Sequence, residues 1–231
     1  MEMGDRVRTF ECAAVLFDLD GVLVDSTGSV GRVWKIWAEQ QGLDPETVIR
    51  AAHGRRTLET IRLCAPHIDA EAAVEMLEEL EIEDTLDLAV IPGAHELLAS
   101  IPPDRWAVVT SGTRPLATSR LKAAGLPMPK VLVSANDVTY GKPHPEPYRA
   151  GAERLGVAAD KCIVIEDTPP GIDAGHAASM PVIALNTTYA TEKLTHAEAI
   201  VRSLADLNVK FNAGTMQLSA NEILASDLSR R

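Results

Sequence analysis

The sequence predicts an α/β fold, a doubly wound parallel sheet with an all-helical segment inserted near its start. Short apolar runs, CAAVLFDLD, WAVVTSG, KVLVSAND and KCIVIED, recur with helical stretches between them, which is the alternation of βαβ units. These runs are apolar at nearly every position, so helices should cover their strands on both faces. Between Asp25 and Pro92 the rhythm breaks, and only helical patterns occur.

The elements follow in order. The first strand run ends in Asp18-Leu19-Asp20-Gly21. In the inserted segment Val30, Val33, Trp34 and Trp37 share one helical face, and the two tryptophans are expected in that segment's own core. Val74, Leu77 and Leu80 form a second apolar face within a Glu-rich stretch, Glu71 to Glu83, that otherwise reads as solvated. Gly28 and Gly31 at the start and Pro92-Gly93 at the end read as hinge or turn positions. Residues 26–90 are therefore expected to form a mobile helical cap domain over a core of residues 1–25 and 91–231. After the three further strand runs, PVIALNT and EAIVRS extend the sheet. The tail after about Val209 is polar and weakly patterned; partial disorder is expected there, with one short helix around Asn221 to Leu228.

Composition bounds the function. With 231 residues, 46% of them hydrophobic, the chain can bury a large core. A net charge of -11, with no basic run to offset it, argues against nucleic acid as a partner. No apolar stretch has the length of a membrane span or the flanks of a signal peptide, so a soluble cytoplasmic protein, expected to be a monomer, is predicted. Cys12, Cys64 and Cys162 share no ligand spacing and read as buried free thiols.

Ligands of open α/β sheets bind beyond the carboxyl ends of the strands, and the chemistry-bearing residues collect at those ends. Asp18 and Asp20 end the first run, Ser111 the second, Lys142 follows the third, and Glu166 with Asp167 end the fourth. Four converging carboxylates repel one another unless a cation sits among them, and hard oxygen ligands suit Mg²⁺. A carboxylate is ionised at neutral pH and can attack phosphorus without a separate base. Asp18 would give an aspartyl phosphate, and Asp20 would protonate the leaving oxygen and then activate water. Lys142, with the Ser111 hydroxyl and the Gly112 backbone, would neutralise the phosphoryl group.

These residues stand in motifs that resemble a known family. FDLDGVLVDS is similar to the DxDG(T/V) signature of haloacid dehalogenase phosphatases, VVTSGT to their second motif, GKPHPEPY to their Lys motif and VIEDTPPGIDAG to their acidic fourth motif. All four stand in order, and the likeness runs from about Ala13 to Leu207. It implies a Rossmann-like core with a helical C1 cap. It also implies Asp18 as nucleophile and metal ligand, Asp20 as acid/base and ligand through its carbonyl, Asp167 as the remaining ligand, Glu166 as a supporting carboxylate, and Ser111 and Lys142 as phosphate holders. HGRRT, WAVVTSGTR and SANDVTYGKPHPEPY further resemble 2-deoxyglucose-6-phosphatases and glycerol-phosphate phosphatases, which implies a small sugar or polyol phosphate as partner. By that likeness His53, Arg55 and Arg56 face the substrate, Arg56 foremost. Val22 replaces the Thr of many members, as in β-phosphoglucomutases, so a phosphomutase stays open as a rival. A catalytically silent phosphometabolite binder is the second rival, and the acid/base residue Asp20 argues against it. Asp20 argues equally against dehalogenase chemistry.

Overall fold

The computed structural model describes residues 6–212 and 215–223. In chain order it contains β1 (Arg6–Cys12), β2 (Ala14–Phe17), β3 (Val24–Asp25), α1 (Thr27–Gln40), α2 (Pro45–Ala52), α3 (Thr57–Cys64), α4 (Ala70–Glu83), β4 (Ala89–Val90) and α5 (Ala94–Ser100). There follow β5 (Trp106–Val109), α6 (Arg114–Ala123), β6 (Leu132–Val133), α7 (Glu146–Leu155), β7 (Cys162–Glu166), α8 (Pro169–Ala177), β8 (Val182–Leu185), β9 (Ala199–Val201), β10 (Leu207–Asn212) and β11 (Thr215–Glu222).

The central sheet is six-stranded and parallel, in the order β6-β5-β2-β7-β8-β9. Every residue of β2, β5, β7 and β8 is buried, because alternate side chains enter cores on opposite faces. Val15, Phe17, Val108, Ile163 and Ile165 pack with Leu97 and Leu98 of α5 and Leu121 of α6. Ala14, Leu16, Val109 and Val164 pack on the other face with Tyr148 and Ala152 of α7 and Ile172 of α8. The chain leaves β2 toward β5 and β6, then returns on its other side through β7, β8 and β9. The crevice at this reversal lies beyond the carboxyl ends of β2, β5 and β7.

Helices α1 to α4 form the insert and bury a core of their own around Trp34, Trp37, Val48, Ile61 and Leu77. The Trp34 and Trp37 rings meet edge to face, 5.5 Å apart. Asp44 and Asp69 cap α2 and α4 by accepting from the N–H groups of Thr47 and Ala72. Four expectations change here. The insert is bounded by a short antiparallel pair, β3 with β4, so a two-residue strand precedes Pro92. Gly28 and Gly31 lie inside α1, where their backbone is committed to helix, whereas Gly93 turns at φ 90° before α5. Leu80 is exposed, and Glu81, within the stretch expected to be solvated, is buried in its place.

The tail is the largest correction. β10 and β11 run antiparallel and join β1 in a three-stranded sheet in the order β1-β11-β10. Met216, Leu218 and Ala220 of β11 alternate into the main core beside Cys12, so this sheet extends that core. Asn221 and Glu222, where a helix was expected to begin, belong to β11, and residues 224–228 of that expected helix lie outside the described residues. Cys12 closes β1 instead of opening β2; it and Cys162 are buried free thiols, while Cys64 is half-buried. Among the described residues no helix is long and apolar enough to cross a membrane.

Candidate active site

The ends of β2, β5 and β7 bring Asp18, Thr110 with Ser111, and Glu166 with Asp167 together. Lys142, on the loop before α7, reaches in beneath them with 1% of its surface exposed. Its Nζ lies 2.8 Å from Asp18 Oδ1, 2.7 Å from Glu166 Oε1 and 5.0 Å from the centre of the Tyr148 ring. An ammonium this deep is tolerable only because two carboxylates share it. Burial works against its charge, but Asp18 and Glu166 more than offset that and hold Lys142 well above the ordinary lysine value.

Glu166 is fully engaged. Lys142 and the Tyr148 hydroxyl, at 2.9 Å, donate to Oε1, and Oε2 accepts from the N–H groups of Asp167 and Thr168 and from the Thr168 hydroxyl. The carboxylate thus lies against the start of α8, where a Cβ on Gly171 would sit 1.7 Å from Oε1, and only glycine leaves that space. Burial raises Glu166, but Lys142 and these N–H groups outweigh it and hold the group below the usual carboxylate range.

Asp167 stands in contrast. Both of its carboxylate oxygens are buried without a hydrogen-bond partner, and burial, with Glu166 and Asp18 alongside, pushes it well above the usual range. Asp18 is raised to about 7, mainly by burial, with Lys142 opposing. Ligand atoms of Asp18, Glu166 and Asp167 lie within 4.8 Å of one another. With all three ionised, one ammonium would leave two negative charges uncompensated in a dry site. With the oxygens of Glu166 taken, Asp18 and Asp167 are the ones left to bind, so the set fits a hard divalent cation such as Mg²⁺. Gly21 follows the pair of aspartates at φ 78°, where a Cβ would stand 2.0 Å from Asp167 Oδ2, so the turn that carries Asp20 must pass through glycine.

Asp18, Asp20, His53, Ser111, Gly112 and Asp167 line one cavity between core and insert. The Ser111 hydroxyl donates to the Gly54 carbonyl at 3.0 Å, tying the core to the loop between α2 and α3, and the Gly112 N–H donates to Thr110 Oγ1. His53 is held below its ordinary value by burial, with Asp20 opposing, and its Nε2 is buried without a partner. Arg56, expected to face the substrate, turns away: Nε bonds Glu59 at 2.8 Å and Nη1 reaches the Val138 carbonyl, while Arg55 lines the cavity instead.

Ser26, at the end of the first motif stretch but given no role there, donates to Asp20 Oδ1 at 2.7 Å. Other cavity residues had no motif to announce them: Arg120 of α6 bridges Asp20 and Glu81. Thr188 also lines the cavity, and Thr187 donates to the Gly21 carbonyl. A signal existed for the charged pair. Arg120 shares a helical stripe with Leu116, Ala117 and Leu121, and Glu81 one with Ala70 and Leu77, and a charge on an apolar stripe marks a buried partner.

Comparison with known proteins agrees with this geometry. Residues 12–179 match the haloacid dehalogenase-like hydrolase family. Hexitol phosphatase A of Escherichia coli is 42% identical over 206 residues, covering 86% of this chain and 94% of that protein. Glycerol-1-phosphate phosphohydrolase 2 of Saccharomyces cerevisiae is 36% identical, covering 82% of this chain and 80% of that one. Among solved structures, β-phosphoglucomutase from Clostridium difficile superposes with a TM-score of 0.76 over 85% of this chain and 93% of its own, at 22% identity, a likeness of fold alone. On the family match and these identities, the chain belongs to the haloacid dehalogenase-like hydrolases.

Proposed function

We propose that this family member, a phosphoric monoester hydrolase, cleaves monoesters of small sugars or polyols with Asp18 as nucleophile. One observation carries the reading. Asp18 and Glu166 share the Lys142 ammonium, and Asp167, clustered with them, keeps both oxygens unpaired in a buried site. Asp18, Asp167 and the backbone carbonyl of Asp20 would hold Mg²⁺, with Glu166 supporting them through Lys142. Bound Mg²⁺ would offset the clustered carboxylates and polarise the phosphoryl oxygens.

The chain's own residues do the rest. The Asp18 carboxylate attacks phosphorus, the ester P–O bond breaks, and Asp20 passes its proton to the departing oxygen. An aspartyl phosphate on Asp18 results. Asp20 then takes a proton from water, whose oxygen attacks the same phosphorus, and the bond to Asp18 breaks to release phosphate. Lys142 orients Asp18, and Ser111 and Gly112 would turn their donors from Gly54 and Thr110 to the phosphoryl oxygens. Residues 26–90 act as the cap over a core of residues 1–25 and 91–231, bringing neutral His53 and Arg55 to the substrate. Support for the substrate class comes from the relatives, which are named for hexitol phosphates and glycerol 1-phosphate.

The test is phosphate release from hexose, pentose, deoxysugar and polyol phosphates, with Mg²⁺ and with chelator, in the native chain and Asp18→Asn. Release that needs both Mg²⁺ and Asp18 is expected. Release by the Asn variant refutes the mechanism, and conversion of glucose 1-phosphate to its 6-isomer without release refutes hydrolysis.

A further inference from the structure

Glu81 sits near the end of α4 in the insert, with 5% of its surface exposed, and lines the cavity across from the catalytic carboxylates. Arg120 reaches it from α6 of the core, with 4% exposed, donating from Nη2 to Glu81 Oε2 at 2.9 Å and from Nη1 to Asp20 Oδ1 at 2.8 Å. The Trp34 side chain also stands on the cavity wall. A buried ion pair is a weak source of stability, since apolar residues of similar volume serve as well. Stability alone does not explain why one borders a cavity.

Its free valences do. A carboxylate has about four acceptor sites, and Arg120 occupies only one of those of Glu81. The Nε of Arg120 is buried with no partner, which leaves a donor unused. An acceptor and a donor held side by side are the complement of a hydroxyl group, which both gives and takes a hydrogen bond. An apolar or aryl tail would leave both unmet, at a cost in affinity.

We infer that Glu81, with Arg120 holding it, is the specificity-determining residue that recognises hydroxyl groups on the tail of the substrate. This rests on the proposed phosphatase reading and adds the part of the molecule that reads the alcohol.

The experiment compares kcat/KM for a polyol phosphate, such as glycerol 1-phosphate or a hexitol phosphate, with that for 4-nitrophenyl phosphate, in the native protein and Glu81→Gln. The polyol-to-aryl ratio is expected to fall roughly tenfold or more in the variant, chiefly through KM, as loss of a hydrogen bond to a charged group predicts. An unchanged ratio, including an equal loss on both substrates, overturns the inference and leaves the pair as a support for Asp20. No phosphate release from any ester by the native protein overturns the phosphatase reading itself, and the inference with it. If the Gln variant does not fold, Glu81→Asp, which keeps the charge but draws the carboxylate back from the cavity, should lower the same ratio, and an unchanged ratio there overturns the inference equally.

Discussion

Asp167→Asn tests the charge balance of the site in a way that activity alone does not. In the metal-free protein Asp167 is 1% exposed, unpaired, and within 4.8 Å of Asp18 and Glu166. At an effective permittivity of about 20, two unit charges at that separation repel by about 3.5 kcal/mol. Asp167 meets what Lys142 does not offset by keeping a proton that the unfolded chain gives up at neutral pH, a cost of about 3 kcal/mol that the nearly isosteric amide does not incur. A domain of this size gains roughly 2–4 °C per kcal/mol, so Asp167→Asn should melt about 6–12 °C higher than the native chain in chelator. Mg²⁺ should then act in the opposite order. The native chain gains about 2.7 kcal/mol when Mg²⁺ reaches about 100 times its dissociation constant, and the variant gains little. Scanning calorimetry in chelator and across a Mg²⁺ titration reads both effects. A lower melting point for the variant in chelator, or an equal Mg²⁺ shift in both chains, refutes the assignment.

Gly171→Ala should destabilise by about 2–3 kcal/mol in urea unfolding, because its Cβ would overlap the anchored Glu166 carboxylate. Gly31→Ala in α1, with nothing within 4 Å, should instead gain about 0.5–1 kcal/mol. Burial would raise Asp137, but the Ser134 hydroxyl and N–H, with Arg154 and Arg114, hold it down to about 2 from an ordinary 3.8. Since the folded value is the depressed one, this stabilisation is complete above about pH 4 and is lost as pH falls toward 2. Acid unfolding of Asp137→Asn should lack that component. Arg55→Ala should raise KM for a polyol phosphate about tenfold, and Arg56→Ala should change it little, because Arg56 is spent on Glu59 and Val138. Equal effects would place both side chains at the substrate.

The parallel core could be read from the sequence because strands buried on both faces become unbroken apolar runs, as in β2 and β7. β11 escaped for the opposite reason. Only Met216, Leu218 and Ala220 face inward, and alternation built on Ala and separated by Gln and Ser has little hydrophobic contrast. At the site, Asp18, Ser111 and Glu166 were legible because each stands at a strand end, where topology alone decides their neighbours. Arg55 and Arg56 were not, because adjacent loop residues point in different directions and no periodicity says which faces inward. Arg120 and Glu81 fell between these cases: their stripes showed burial, but pairing them requires knowing that α4 lies over α6.

The pairing of β1 with β11 also orders events during synthesis. Arg6 lies opposite Glu222, so β1 finds its partner only after about 200 further residues have been made, or about 10–40 s at ordinary elongation rates. Until then β1 is an unpaired edge, and the core beneath it lacks Met216, Leu218 and Ala220. The nascent chain therefore carries an open, sticky flank throughout that interval. That interval, rather than any weakness of the finished fold, is when a chaperone has most to bind and when a stalled chain is most exposed to aggregation.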